Sequence, residues 1–381
     1  MKESYRILPV YAGDVSGACS ALYELGGMIV MHDPSGCNST YNTFDETRWY
    51  DKESLIFLSG LTDMDAVMGN DKKLIADIMT AASEFHPEFI ALVNSPIPFL
   101  NGTDFPGICR LLEKETGIPT FYIPTNGMHD YTEGAAQAFL CTAKRLVEPS
   151  SEVIPGSVNI LGMTPLDFAA PSSAGSLKTI LVEAGFHILS NWSVDTSLSD
   201  IRNSARAAVN LVVSSSGLYA AEYLYETYHT PYVLGIPAGC FKDSVLKALK
   251  EAERSGTNQM PYNKELSGSP AEYTLIGDPV IASSLAAAIE LRTGKGTRVL
   301  CPTEITKGLL RPGDFRIIGE EDAETAVRDA KTLIADPMYR LICSGETDLL
   351  PLPHQAISGR MYRKEYPDLF SPDQTALKEI I

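Results

Sequence analysis

The sequence predicts an α/β protein made of three small domains, each built on a parallel β-sheet. Short apolar, β-rich runs alternate with amphipathic helical stretches almost throughout, which is the pattern of parallel sheets covered by helices. Two irregular stretches, 149–157 and 256–271, divide this alternation into three blocks of about four strands each. We therefore expect domains at 1–150, 151–258 and 259–381.

The individual elements follow from local sequence signals. Helices are expected at 71–86, where Asp71 is a plausible N-cap, at 132–148, and at 279–294 between a proline in the first turn and a glycine at the end. Strands are expected at 28–31, 54–59, 89–94, 119–123, 158–162, 187–190, 210–214, 232–236, 273–277, 298–301, 315–318 and 339–343.

Charge and hydropathy exclude several classes of function. The 381 residues include 31 Lys and Arg against 48 Asp and Glu, which gives a net charge of -17. Nucleic acids and anionic lipids are bound mainly through Lys and Arg, so we expect neither as a partner. The chain shows no apolar run of the roughly 20 residues that span a bilayer, and its first residues lack the apolar core of a signal peptide. A cytoplasmic protein is expected.

The cysteine content fits a reducing compartment. Seven cysteines, an odd number with no close CxxC pair, do not form the pattern of a disulfide framework. The thiols are therefore free for packing or for binding metal. Cys19, Cys109, Cys141, Cys301 and Cys343 are interpreted as packing residues, the last two at the ends of buried strands.

The loops after the predicted strands are where a ligand site is expected, because ligands of open parallel sheets bind outside the carboxyl ends of the strands. These loops are rich in Gly, Pro and Cys, and none contains GxGxxG, GxxxxGK[ST] or HExxH. They lie at 32–37, 94–98, 237–240, 277–279, 301–303 and 343–345.

Several stretches resemble nitrogenase component 1-type oxidoreductases, a superfamily that includes nitrogenase, the dark-operative protochlorophyllide reductase and a nickel-tetrapyrrole reductase. MHDPSGC at 31–37 resembles the family's HGPxGC, in which the cysteine binds an iron–sulfur cluster at the subunit interface. The stretches at 65–74 (DAVMGNDKKL), 93–104 (VNSPIPFLNGTD) and 275–279 (LIGDP) also resemble family motifs and occur in the family's order. This resemblance implies three Rossmann-like domains with parallel sheets around a shared interdomain crevice.

The resemblance also implies a cofactor, with departures from the family pattern. Full members use three cysteines per subunit, but the first position falls near 12–14 and the third at Ser95 or Pro96, where no cysteine stands. Only Cys37 fits, and Asp14 is a conceivable oxygen ligand. Because a [4Fe–4S] cluster needs about four protein ligands, it would have to be shared with a partner subunit.

Three functions stay open at this point. The first is a reductase subunit that takes low-potential electrons from an ATP-dependent iron-protein-like reductase, through an interface cluster, to a substrate in the crevice. A homologous subunit would then complete a homo- or heterodimer. The second is a non-catalytic scaffold or carrier for a metallocofactor or its precursor, and the third is a cluster-free interaction subunit of a heterodimer. The sequence leaves the substrate open.

The remaining candidate residues each have a structural alternative. His32 is a candidate proton donor or a buried histidine that holds the following loop. The stretch 354–360 (HQAISGR) lies where members of the family line their interdomain cavity, and Arg360 in it is a candidate partner for an anionic group of the substrate. Cys240 could contact a cofactor or simply pack. Arg48 and Trp49 lie in a segment rich in aromatic and charged residues, which indicates a contact surface rather than core.

Overall fold

Three parallel β-sheets form the framework of the molecule. The computed structural model describes residues 6–36, 41, 46–262, 271–371 and 377–381. The paired strands of the described sheets all run parallel, which confirms the predicted fold class. The strands are β1 (Met28–His32), β2 (Leu55–Leu58), β3 (Ile90–Asn94), β4 (Thr120–Ile123), β5 (Ile154–Leu161), β6 (His187–Asn191), β7 (Ala207–Val212), β8 (Tyr232–Leu234), β9 (Ala271–Ile276), β10 (Gly296–Cys301), β11 (Phe315–Arg316), β12 (Thr332–Ala335) and β13 (Asp348–Pro351).

The order of the strands locates the topological switch points. The first sheet has the order β2-β1-β3-β4, the second β6-β5-β7-β8 and the third β11-β10-β9-β12-β13. The order therefore reverses between β1 and β3, between β5 and β7, and between β9 and β12, and the crevice outside such a point is where a ligand is expected. The sheets span 28–123, 154–234 and 271–351. The domain limits at 150 and 258 stay a prediction.

The described helices cover the sheets on both faces. In β1, Ile29 and Met31 belong to a core with the helices on one side, whereas Met28 and Val30 pack with helices on the other. The helices are α1 (Asp14–Leu22), α2 (Asp63–Met68), α3 (Asp71–Phe85), α4 (Pro96–Asn101), α5 (Phe105–Thr116), α6 (Tyr131–Leu146), α7 (Ser173–Glu183), α8 (Leu198–Arg202), α9 (Leu218–Tyr228), α10 (Lys242–Ser255), α11 (Pro279–Thr293), α12 (Glu320–Val327) and α13 (Gln355–Ser358).

Helices α1 and α6 pack with their backbones almost touching. A Cβ atom built on Gly134 would lie 1.8 Å from the carbonyl oxygen of Asp14, and one built on Gly17 would lie 2.0 Å from that of Tyr131. Only glycine fits at either position, because real side chains do not approach backbone atoms so closely. This contact fixes the first residues of both helices, Asp14 and Tyr131, relative to each other.

One predicted strand is wrong. Residues 339–343 belong mostly to a 3-10 helix, Pro337–Ile342, and the strands of this region are β12 before it and β13 after it. Asp336 accepts a hydrogen bond from the amide of Met338, and Pro337 occupies the first helical position. An Asp-Pro pair is a helix-start signal that overrides the β-rich composition of the following residues. Cys343 therefore follows a helical turn rather than ending a strand.

None of the helices in the described part of the chain is long and apolar enough to cross a membrane.

Candidate functional site at the junction of the sheets

Four side chains from all three parts of the fold meet at the carboxyl ends of the strands. Asp167 follows β5, Asp278 follows β9, His354 follows β13, and Tyr131 is the first residue of α6. We call these four residues the junction cluster. Asp167, Asp278 and Tyr131 are buried, with exposed fractions of 9%, 2% and 1%. The cluster lies beside the switch points of the second and third sheets, which is where the topology predicts a ligand.

Asp167 is the centre of the hydrogen bonds in the junction cluster. The Tyr131 hydroxyl donates to its Oδ1 at 2.5 Å, and Nε2 of His354 lies 3.3 Å from the same oxygen. Nδ1 of His354 accepts the amide hydrogen of Ala356 at 3.2 Å. The proton of a neutral His354 ring therefore resides on Nε2, from which it faces Asp167.

Asp278 is held by backbone amides. Its Oδ1 accepts hydrogen bonds from the amides of Val280 and Ile281 at the start of α11, and its Oδ2 accepts one from the amide of Ser215 at 3.0 Å. Burial, followed by the neighbouring Asp167 carboxylate, raises the pKa of Asp278 to about 7. A carboxyl group with that pKa can give up or take a proton at neutral pH.

The junction cluster opens on a small cavity between the second and third sheets. Its volume of about 30 Å³ has room for one or two water molecules. The described lining residues are Asp167, Ala169, Leu275, Ile276, Gly277, Asp278, Ile281, Ala282, Leu285, Leu352, Pro353, His354, Gln355, Tyr366, Pro367 and Leu369. The cavity has an apolar wall and one polar end, and at this volume it holds water rather than a small molecule.

The segment 366–370, here named the cover, closes one side of this cavity. The hydroxyls of Ser172 and Ser176 both donate to Oδ2 of Asp368 at 2.6 Å. The ring of Phe370 stacks on that of Phe168, with centroids 5.6 Å apart. Because Phe168 follows Asp167 in the chain, the cover packs directly on the turn that carries Asp167.

A second, larger cleft lies at the carboxyl edge of the first sheet and includes His32. Nδ1 of His32 is 2.8 Å from the hydroxyl of Ser59, and its ring meets Phe105 edge-on at 5.9 Å. The cleft has a volume of about 430 Å³ and is also lined by Asp65 and Lys73. Burial lowers the pKa of His32, which favours a neutral ring at pH 7. His32 as a proton donor stays a prediction.

The position predicted for the family's third cysteine holds a serine with a structural role. Ser95 is fully buried, and its hydroxyl lies 2.8 Å from the carbonyl oxygen of His32 and 2.6 Å from Oδ1 of Asp33. These contacts join the loops that follow β1 and β3, the two strands at the switch point of the first sheet.

Of the two candidate metal ligands Asp14 and Cys37, the structure describes Asp14. Cys37 lies outside the described residues. The buried carboxylate of Asp14 accepts hydrogen bonds from the amides of Val15, Asn126 and Gly127 at 2.8–3.1 Å. Burial nevertheless raises the pKa of Asp14. Its role as an oxygen ligand stays a prediction, and binding a metal would compete with these amide contacts.

The other cysteines lie apart from one another. Burial raises the pKa of the thiols of Cys109 and Cys301 to about 12 and that of Cys141 to about 11, and it also raises the pKa of Cys19 and Cys343. The thiolate is the form that binds metal, so these thiols are poor ligands. Within the described ranges, no group of three or more His, Cys, Asp or Glu side chains could hold a metal ion. The described residues alone do not fit an iron–sulfur cluster.

Comparison with known proteins identifies the family. The model of the nitrogenase component 1 type oxidoreductases matches residues 15–262, more than half of the chain. The chain belongs to this family. The nitrogenase iron-molybdenum cofactor biosynthesis protein NifE of Klebsiella pneumoniae is 25% identical over 219 residues, which cover 54% of this chain and 48% of the relative. The nitrogenase molybdenum-iron protein alpha chain of Azospirillum brasilense is 25% identical over 223 residues, 54% and 45% of the two chains.

Solved structures share the fold of this family member. A chain of "Nitrogenase Cp1 at pH 6.5" superposes with a TM-score of 0.72 at 15% identity, and the match covers 100% of this chain and 92% of that one. A chain of "Nitrogenase Cp1 at pH 5" gives 0.65 at 16% identity, with 93% and 85% covered. By sequence, the chain spans about half the length of the curated relatives it matches.

Two predicted site residues of this nitrogenase-like chain lie away from the interdomain cavity. The guanidinium of Arg360 stacks on the ring of Tyr50, 5.2 Å from its centroid, and lines an open surface groove of about 690 Å³. Cys240 is exposed, with Nη1 of Arg292 3.9 Å from its sulfur. Neither residue is among those lining the cavity. Their roles in binding substrate or cofactor stay predictions.

The prediction of a contact surface around Arg48 is wrong for this residue. Its side chain is 9% exposed and forms ion pairs with Glu46 at 2.7 Å and with Glu24 at 3.1 Å. Tyr41 is also buried, and its hydroxyl donates to Glu46. Glu46, two residues before Arg48, and Glu24, from an earlier segment, pair with this arginine inside the fold. The charged composition of the segment therefore did not indicate exposure.

Sequence reasoning missed half of the junction cluster. His354 and Asp278 stood in stretches that the family resemblance had singled out, whereas Asp167 and Tyr131 carried no signal. Asp167 lies in the stretch TPLDF, and Tyr131 follows the N-cap Asp130. Neither stretch is a known motif, and only the packing of distant segments brings the two side chains together.

Proposed function

We propose that this chain is a subunit of a nitrogenase-like reductase whose substrate is reduced at the junction cluster, in a cavity that must enlarge beyond its volume of about 30 Å³ in this structure to admit the substrate. The observation that carries the proposal is the junction cluster. It places two carboxyl groups, an imidazole and a phenol at the polar end of a closed cavity, next to the switch points of two sheets. Reduction of an unsaturated molecule consumes protons together with electrons, and this cluster is a local source of protons.

An exposed apolar patch supports the expected reductase partner. Met64, Val67 and Met68 of α2 and Phe99 and Leu100 of α4 have exposed fractions between 47% and 80%. The Asn101 side chain donates a hydrogen bond to the carbonyl oxygen of Ala66, which joins the two helices. Contiguous apolar surface of this kind marks protein interaction sites. We propose that an ATP-dependent iron-protein-like reductase docks on this patch, beside the cleft of His32.

A second surface supports pairing with a homologous subunit. Leu8, Tyr11 and Met361 have exposed fractions of 58%, 45% and 63% and line the groove that also contains Arg360. Tyr11 lies just before the position expected for the family's first cluster ligand. We propose that the partner subunit covers this groove and supplies the ligands that this chain lacks. Proteins of this family bind iron–sulfur clusters, and Cys37 is the residue of this chain that we propose as a ligand.

A scaffold function is the second candidate. The described residues hold no metal site of their own. A cofactor biosynthesis protein and a nitrogenase alpha chain are both 25% identical to this chain, so identity does not favour either role. A scaffold would carry a metallocofactor or its precursor without turnover.

Anaerobic co-purification with the partner encoded by a neighbouring gene tests these functions. The complex is analysed for iron per chain and for visible absorbance, in the wild type, in Cys37→Ala and in Cys343→Ala. Cys343 is the matched control, because it is half-buried and lies outside the proposed cluster site. We expect iron in the wild type and the control, and its loss in Cys37→Ala. Electron transfer is measured as consumption of dithionite that requires both the iron-protein-like reductase and ATP.

Each outcome selects one function. Iron that depends on Cys37, with reductase-dependent dithionite consumption, supports the reductase. Iron or a metallocofactor without such consumption supports the scaffold. A colourless, iron-free complex that is otherwise intact overturns both and supports a cluster-free interaction subunit.

A further inference from the structure

Two buried carboxyl groups of the junction cluster face one cavity without a cation. The exposed fractions of Asp167 and Asp278 are 9% and 2%, so both side chains are more than nine-tenths buried. Among the described residues that line the cavity there is no lysine or arginine. Two ionised carboxylates in such a site repel each other across a medium of low dielectric constant, and neither recovers its lost hydration from a positive partner.

The hydrogen bonds around the two groups differ. Asp167 accepts from the hydroxyl of Tyr131, Nε2 of His354 lies 3.3 Å from the same oxygen, and the hydroxyl of Thr164 donates to its other oxygen at 3.4 Å. The groups around Asp167 are thus side chains that can donate a hydrogen bond. Asp278 accepts from backbone amides, and its other neighbours along the cavity wall, such as Ile281 and Leu285, are apolar.

We propose that Asp167 and Asp278 hold one proton between them, and that Asp278 donates this proton to the molecule reduced in the cavity. The donation rests on the proposed reductase function. The proton pair itself follows from burial, the shared cavity and the missing cation. Burial and the Asp167 charge, which raise the pKa of Asp278 to about 7, agree with Asp278 as the protonated member.

The step balances with the proposed source of electrons. The substrate first receives an electron that originates from the iron-protein-like reductase. The O–H bond of Asp278 then breaks, and its hydrogen forms a bond to the reduced atom of the substrate. Asp278 remains as a carboxylate beside ionised Asp167, and it regains a proton from a hydronium ion of the solvent after the product leaves.

Other titratable groups lie near the pair and have to be distinguished from it experimentally. Burial raises the pKa of Tyr131, Tyr262, Tyr366 and Cys301, so these groups stay protonated at neutral pH. The carboxyl groups of Asp130 and Asp336, whose pKa values burial raises, and the imidazole of His354, 3.3 Å from Asp167, are further ionisable groups beside the pair. A measurement specific to aspartate separates His354 from the carboxyl pair, and the variants Asp130→Asn and Asp336→Asn identify any contribution of those two carboxyl groups.

Infrared spectroscopy of protein labelled with ¹³C in the aspartate side-chain carboxyl group tests the proton pair directly. We expect the carbonyl band of a protonated carboxyl group below neutral pH, which disappears as the pH rises through about 7. Asp278→Asn and Asp278→Ser should both remove it. The serine variant keeps an N-cap acceptor for α11 and guards against a simple folding failure. Asp167→Asn should keep the band and lower its midpoint by about one pH unit or more, because a like charge is removed.

The control is Asp195→Asn, which removes an aspartate carboxyl group that pairs with Lys52 and does not line the cavity. It should leave the titrating band and its midpoint unchanged. Absence of the band in the wild type, or its survival in both Asp278 variants, overturns the proton pair. If Asp167→Asn leaves the midpoint of the band unchanged, Asp167 and Asp278 do not share a proton.

Proton donation has a separate readout in the iron-containing complex. Asp278→Ser should slow reductase-dependent dithionite consumption by about 100-fold, the lower range for loss of a general acid, at unchanged iron content. Asp195→Asn should consume dithionite at the wild-type rate. Equal rates for wild type and Asp278→Ser overturn the donation. The infrared measurement uses protein without reductase, so its failure leaves the reductase function standing, and failure of the reductase function leaves the proton pair standing.

Discussion

Two buried groups of charged side chains connect parts of the fold, and a cation neutralises only one of them. In the first, which we call the Arg48 group, Arg48 pairs with Glu46 and Glu24 and donates to the carbonyl oxygens of Ser20 and Ser193. Ser193 follows β6 of the second sheet, so this group joins the first and second sheets. In the second, the junction cluster, two aspartates meet a tyrosine and a histidine without a lysine or arginine among the described lining residues.

The difference separates a structural from a chemical use of buried charge. The guanidinium of Arg48 uses its planar donors on two carboxylates and two carbonyl oxygens, so that little is left for another molecule. The junction cluster faces a cavity and contains Asp278, whose pKa burial and the Asp167 carboxylate raise to about 7. Removing a member of the Arg48 group should therefore cost mainly stability, whereas changes in the junction cluster should alter the response to pH.

Loss of Arg48 should have the largest effect on stability. Arg48→Met leaves Glu46 buried without its cation, and we expect a loss of about 3–5 kcal/mol in the free energy of unfolding. Urea unfolding followed by circular dichroism measures it. Arg48→Lys keeps the charge but not the planar set of donors, so its free energy of unfolding should lie between those of the wild type and Arg48→Met. A loss below about 1 kcal/mol in Arg48→Met would contradict the structural role.

Loss of Asp278 should change the pH dependence of stability. The pKa of Asp278 is raised in the folded protein, so its contribution is fully present below its unfolded value of about 4 and is lost as the pH rises through about 7. Compared with Asp278→Ser, the wild type should lose on the order of 4 kcal/mol between these pH values. Urea unfolding at several pH values measures both proteins. Parallel pH profiles would show that Asp278 has an ordinary pKa.

Loss of the Tyr131 hydroxyl should have a smaller effect. Tyr131→Phe removes the donor to Asp167 and should cost about 1.5–3 kcal/mol, the range for a hydrogen bond to a charged group. Tyr339→Phe is the matched control, since the hydroxyl of this buried tyrosine donates to the neutral carbonyl oxygen of Pro9. It should cost about 0.5–1.5 kcal/mol. If the two variants lose equal stability at pH 8, Asp167 is not ionised there.

Loss of Lys52 should have the smallest effect. Its ammonium group pairs with Glu24 at the rim of the Arg48 group and with Asp195, and its side chain is 40% exposed. Lys52→Ala should change the free energy of unfolding by less than about 1 kcal/mol, and added salt should reduce the difference. Urea unfolding at low and high salt measures this. If Lys52→Ala lost as much free energy of unfolding as Arg48→Met, the Arg48 group would depend on the exposed pair of Lys52 with Glu24.

The sequence was sufficient for most of the fold because the apolar runs of buried parallel strands are continuous. Such runs, including MIVM in β1 and IALVN in β3, stand out from the amphipathic helices that flank them. The failure at 339–343 has a local cause, since the Asp-Pro pair at 336–337 starts a helical turn in a β-rich stretch. The strands on either side of it are only four residues long, which is short for recognition by pattern.

The site was less predictable because its residues meet through tertiary packing. Asp167 and His354 are separated by almost half of the chain, yet their side chains lie 3.3 Å apart. Family motifs indicated the loops of Asp278 and His354 but not the partners of either residue. For Arg48, composition indicated exposure, whereas the pairing with Glu24 on a different segment made burial possible.

The cover has a consequence for the order in which the molecule is completed during synthesis. Residues 366–370 follow all thirteen described strands in the chain, so the three sheets can pack before the ribosome has delivered the segment that closes the cavity. Asp368 can then accept hydrogen bonds from the hydroxyls of Ser172, which precedes α7, and Ser176, in the first turn of α7. We therefore expect the nascent protein to expose to solvent, for a time, a polar pocket that the finished protein encloses.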